Sequence, residues 1–142
     1  MEMVARPYSE SLERLRTVGL RPTRQRLALA RLLYSHGPRH VTAEQLHAEA
    51  LAAGVRISLA TVYNSLHQFT EAGLLREVVV DPQRRYFDTN TEPHHHFFME
   101  TDGVLNDIPG RHITVSGLPP QPPGTEVERI DVVVRVKRSR QS

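Results

Sequence analysis

Apolar residues in the first half of this 142-residue chain recur at helical spacing. Leu12 and Leu15 fall on one side of a short amphipathic stretch, residues 9–18, which Gly19 ends. Pro22 and Thr23 open a second helix, RQRLALARLLYSH. Its Leu27, Ala30 and Leu33 form a stripe that Leu29 and Leu32 widen, and Gly37-Pro38 closes it. Thr42-Ala43-Glu44-Gln45 reads as a capping box for a third helix, AEQLHAEALAA, stopped by Gly54. Ser58 caps a fourth, LATVYNSLHQFTEA, which ends at Gly73 and whose stripe is Leu59, Val62, Leu66 and Phe69. Ala60, Thr61, Tyr63, Asn64 and His67 lie off that stripe.

The period then changes to that of strands. LLREVVV, a turn at Asp81-Pro82-Gln83, and RRYFD predict a hairpin. HHHFFMET, a tight Asp102-Gly103 turn, and VLNDI predict another. RHITV reads as a further strand. GLPPQPPG is a connector that cannot be helical. In EVERIDVVVRVKR, Ile130, Val132, Val134 and Val136 alternate with Arg129, Asp131, Val133 and Arg135, which predicts a long strand with one buried face. So short a β-rich half cannot cover that face alone, so a homodimer across this sheet is expected. KRSRQS reads as a frayed basic tail.

Helix, helix, turn, helix, hairpin is the order of a winged helix-turn-helix. The expected fold is therefore α+β: residues 1–88 a winged-helix DNA-binding domain, and residues 89–142 a small β-rich dimerisation domain. The helix after the turn, starting near Ser58, is the one such folds insert into a major groove. That points Ser58, Ala60, Thr61, Tyr63 and Asn64 at double-stranded DNA. The plain alternative for Tyr63 is a half-buried packing tyrosine.

Charge distribution agrees better than net charge, which is only +2. Only Lys137 is a lysine, and no acid lies between Glu13 and Glu44, a stretch that holds Arg14, Arg16, Arg21, Arg24, Arg26, Arg31 and Arg39. Guanidinium forks suit phosphates and guanine edges, although a coding bias toward arginine would also produce them. Arg24 and Arg26 are expected at phosphates. Cysteine is absent, which removes disulfides and cysteine-held zinc. No apolar run is long enough to span a membrane and no signal peptide is apparent, so a cytoplasmic protein is expected.

Three of the eight histidines stand together as His94-His95-His96. On a strand His94 and His96 share a face, and two imidazoles so placed can grip one borderline metal ion. The alternative is a solvated polar loop.

Several segments resemble the ferric uptake regulator (Fur) family. They are GLRPTRQR at 19–26, HVTAEQL at 40–46, LATVYNSL at 59–66, and Phe69 followed by Glu71-Ala72-Gly73-Leu74. The resemblance covers most of residues 15–110. It implies a homodimeric regulator on a pseudo-palindromic operator, with Arg21 reaching the minor groove. It places a regulatory metal site on His40, Asp88, His94, His96 and Asp107, for Fe, Mn or Zn. Two family glutamates are aspartates here, Asp88 and Asp107. The paired CxxC motifs of typical members are missing, so their structural zinc is too. A second family metal site falls on Pro93, His95, Thr114 and Ile130 and is lost. The HHHFF strand and the ending GTEVERIDVVVRVKR resemble the iron response regulator (Irr) branch, which implies haem as a regulatory ligand at His94, His95 or His96 and control of iron and haem genes.

Three rivals remain. One is a zinc- or manganese-sensing repressor of the same family. One is a DNA-bridging protein indifferent to sequence. The last is a metal-dependent enzyme, against which stands the lack of HExxH, of a nucleophile triad and of a glycine-rich phosphate loop.

Overall fold

A computed structural model describes residues 8–140. The first seven residues, read for a leader, and the end of the basic tail lie outside the described residues. The fold is α+β, and the chain divides into two compact units between Thr91 and Glu92.

The first unit holds α1 (Ser9–Thr17), α2 (Arg24–Tyr34), α3 (Ala43–Ala52) and α4 (Leu59–Glu71). Each long apolar stripe buries as its spacing requires. Leu29 and Leu33 of α2, Leu46 of α3, and Val62, Leu66 and Phe69 of α4 are all fully buried. Thr42 and Gln45 make the reciprocal capping box at the start of α3. At the end of α4 Gly73 takes φ +87°, which only glycine adopts without strain. The chain then turns back so that the Leu74 N–H donates to the Phe69 carbonyl at 2.9 Å.

A three-stranded antiparallel sheet completes this unit, in the order β1 (His40–Val41), β3 (Arg84–Asp88), β2 (Arg76–Asp81). Strand β1 has only two residues, too few to show a period. Val41 pairs with Phe87, and both are fully buried. That apolar pair inserts the sheet into the helical core and leaves His40 at the strand's outer end.

The second unit is a sheet in the order β5 (Val104–Pro109), β4 (His94–Met99), β6 (Val133–Val136). Strands β4 and β5 form the expected antiparallel hairpin, and β6 runs parallel to β4. Two expectations are corrected here. RHITV is not a strand: Gly110–His112 forms a 3-10 turn, because Pro109 ends the ladder and the chain must leave the hairpin to return parallel. The final strand covers only Val133–Val136, and no residue from 126 to 140 is buried. Its single neighbour is β4, which begins only two residues before the first paired position, so residues 126–130 have no ladder to join. The buried face predicted for it stays partly open in one chain, with Ile130 37% exposed.

Candidate metal centre and nucleic-acid interface

Each unit carries a cross-strand His–Asp pair. In the first, the β1–β3 register sets His40 directly opposite Asp88. His40 Nε2 lies 4.0 Å from Asp88 Oδ2. The Asp88 side chain is 1% exposed, and its other oxygen accepts the Asn90 N–H at 2.9 Å. One carboxylate oxygen is thus tied to the backbone while the other faces the imidazole.

Arg39, next to His40, fastens the strand. Its N–H donates to Thr89 Oγ1 at 3.0 Å, and its carbonyl accepts the Thr89 N–H. Its guanidinium forks onto Glu49 at 2.8 and 2.6 Å and donates to the Leu32 carbonyl. This hydrogen-bonded ion pair holds the Glu49 carboxyl below its usual range and pushes Arg39 up.

In the second unit the register sets His96 opposite Asp107. The Nε2 atoms of His96 and His94 lie 3.4 and 3.7 Å from the same Asp107 oxygen. Both imidazoles are buried, with ring centroids 4.5 Å apart. His94 Nδ1 sits 2.6 Å from the Glu92 carbonyl oxygen. A carbonyl only accepts, so the proton is on Nδ1 and the Nε2 lone pair is left outward, the arrangement metal-ligating histidines usually have. His95 is fixed the other way. Its Nδ1 accepts the Val132 N–H at 3.0 Å, which places the proton of the neutral ring on Nε2. In that state His95 has no lone pair to offer a metal.

These groups fit a divalent cation. Two donors about 2.0–2.1 Å from one tetrahedral ion stand roughly 3.3 Å apart. The spacings to Asp107 are close to that, and the His40–Asp88 spacing is slightly wider. Imidazole and carboxylate donors without sulfur suit Fe, Mn or Zn. With no cysteine in the chain, a cysteine-held structural zinc is impossible.

The candidate DNA-reading elements lie in the first unit. Ser58 caps α4 by accepting the Thr61 N–H at 3.1 Å, and their hydroxyls are 2.8 Å apart. Ser58, Ala60 and Asn64 are exposed, and Thr61 and Tyr63 are half-buried. The Tyr63 hydroxyl donates to Glu44 Oε1 at 2.8 Å. This bond, first among the causes, raises the phenol above its ordinary range. Arg21 and Arg24 are exposed. Arg26 is committed within the unit, donating to the Arg21 carbonyl at 2.9 Å and to Gln68 Oε1 at 2.7 Å. It ties α2 to α4, a role its sequence position did not suggest. On the β2–β3 hairpin, Arg84 pairs with Asp81 and Arg85 with Glu77. The partnerships of Glu44, Glu49 and the Glu92 carbonyl were also absent from the sequence reading, since none has a local pattern.

The model of the Ferric uptake regulator family matches residues 17–116. The chain belongs to this family. The Peroxide-responsive repressor PerR of Staphylococcus epidermidis is 34% identical over 109 residues, covering 76% of this chain and 71% of that protein. The ferric uptake regulator from Pseudomonas aeruginosa, solved with manganese, is 25% identical with TM-score 0.67, over 90% of this chain and 97% of that one. The Campylobacter jejuni peroxide stress regulator is 26% identical with TM-score 0.58, over 92% and 98%. Members of the ferric uptake regulator family are metal-responsive transcription regulators rather than enzymes, bind DNA and are generally dimeric. Among the described residues no helix is long and apolar enough to cross a membrane.

Proposed function

We propose that this protein is a homodimeric regulator that reads iron status in the cytoplasm, binds a pseudo-palindromic operator, and controls iron and haem homeostasis genes. The observation that carries this is the pair of cross-strand His–Asp arrangements, His40–Asp88 in one unit and His94/His96–Asp107 in the other. All five side chains are the proposed ligands of one regulatory cation. The chain's own residues do the rest: Glu92 fixes the His94 tautomer, Asn90 orients Asp88, and Arg39 anchors the His40 strand to α2 and α3. An ion shifts DNA affinity only through a difference in its affinity for two states. Arg21, Arg24, Ser58, Ala60, Thr61, Tyr63 and Asn64 form the proposed DNA-reading surface, with dimerisation across the β4–β6 sheet.

The test is a duplex selected from a randomised library, titrated with protein loaded with Fe(II), Mn(II) or Zn(II), or stripped by chelator. Metal is expected to tighten specific binding at least about tenfold, and His96→Ala to remove that dependence. Equal binding with and without metal would sink the reading. A Soret shift lost in His94→Ala/His96→Ala marks haem as a second signal.

A second reading is supported by the relatives that are peroxide-responsive repressors. Here the bound iron itself is the peroxide target. Peroxide then releases DNA from Fe(II)-loaded protein and leaves Mn(II)-loaded protein bound; equal responses reject it.

A further inference from the structure

Tyr63 sits in the second turn of α4, the helix proposed above for the major groove, and its hydroxyl meets the Glu44 carboxylate of α3 at 2.8 Å. An ionised carboxylate has no proton to give, so the proton in this bond is the phenol's. Once the O–H is committed to Glu44, the phenolic oxygen keeps its lone pairs and has no donor left. We infer that Glu44 is a specificity-determining residue that turns Tyr63 into an obligate hydrogen-bond acceptor, so that the operator position facing Tyr63 carries a donor in the major groove: adenine through N6 or cytosine through N4.

The base edges make this a real choice. Guanine N7 and O6 and thymine O4 are acceptors, and against the Tyr63 oxygen they leave two lone pairs facing each other. The geometry around the pair preserves the arrangement. Glu44 is exposed in the first turn of α3, where the Thr42 capping box fixes the backbone. Tyr63 is half-buried against the core, so its ring has a packed base. Arg85 on the neighbouring hairpin is bonded to Glu77 at 3.0 Å. The Tyr63–Glu44 hydrogen bond, ahead of burial and the Glu44 charge, raises the Tyr63 pKa, against a downward pull from Arg85.

The inference rests on the proposal that α4 reads DNA, and one experiment separates the two. Metal-loaded wild type, Tyr63→Phe and Glu44→Gln are each used to select duplexes from a randomised library, and thermal unfolding confirms that each variant is folded. Wild type is expected to favour adenine or cytosine about five- to tenfold at one position of each half-site. Tyr63→Phe flattens that position. Glu44→Gln, whose amide can donate to the phenol and free its O–H, relaxes the position toward guanine or thymine while other positions keep their preference. Identical profiles for wild type and Glu44→Gln, or a Tyr63-dependent preference for guanine or thymine in wild type, overturn the inference and leave DNA reading intact. Failure of wild type to select any sequence overturns both.

Discussion

Tyr34 donates its hydroxyl to the Leu74 carbonyl at 2.5 Å, and the Arg14 guanidinium covers its ring at 3.9 Å. Burial pushes its pKa up to about 12, against a smaller downward pull from Arg14. In the unfolded chain the same phenol ionises near pH 10. Between those values the unfolded state binds fewer protons than the folded one, so the contribution of Tyr34 to stability is constant below about pH 10 and falls as pH rises toward 12. Urea unfolding at about pH 9 and about pH 11 is expected to show this loss, and Tyr34→Phe to reduce it. An unchanged slope in the variant would contradict the assignment. At this scale the sequence already named His40, Asp88, His94, His96 and Asp107, because their residue types and segment matches are local information. It could not assign tautomers. The opposite protonation of His94 and His95 follows from one neighbour being the Glu92 carbonyl and the other the Val132 N–H. Val132 lies 37 residues away in sequence from His95.

Helices α1 to α4 were legible because each buries one stripe at three- and four-residue spacing and carries its own stop or start signal. The α3 cap is a clear case. Thr42 Oγ1 accepts the Gln45 N–H at 3.1 Å, and Gln45 Oε1 accepts the Thr42 N–H at 2.9 Å. Thr42→Ala is expected to destabilise the protein by about 1 kcal/mol. The shift should appear in the urea midpoint with the slope unchanged, since the surface exposed on unfolding is the same. Strand β1 and the stretch after β5 were not legible. Two residues show no period, and β1 exists only because Val41 finds Phe87 across the sheet. RHITV has strand-forming residues but no neighbouring strand to bond, and β propensity without a ladder does not make a strand.

For the molecule as a whole, the second unit leaves an apolar face that one chain does not cover. Phe97 is 41% exposed and pairs across the sheet with half-buried Val134. Pro109 and Ile113 continue the patch around a hollow of about 460 Å³, with buried Ile108 in its wall. Dimerisation across this face is the simplest way to bury it. Phe97→Glu, which sets charges against each other in that contact, is expected to shift sedimentation from dimer to monomer and to weaken operator binding at least about tenfold, because two half-sites are no longer engaged together. A dimer of unchanged affinity would place the contact elsewhere. The sequence alone determined the helical stripes, their caps, the two hairpins, the absence of thiol ligands and the identity of the candidate ligands. All of these depend on residue type and on spacings of a few positions. The tertiary structure decided which carboxylate stands opposite which imidazole, which ring nitrogen keeps its lone pair, that Arg26 is a tie between helices, and that Tyr63 is held by Glu44. Those outcomes depend on side chains that only strand register and helix packing bring within about 3–4 Å of each other, a distance that spacing along the chain does not encode.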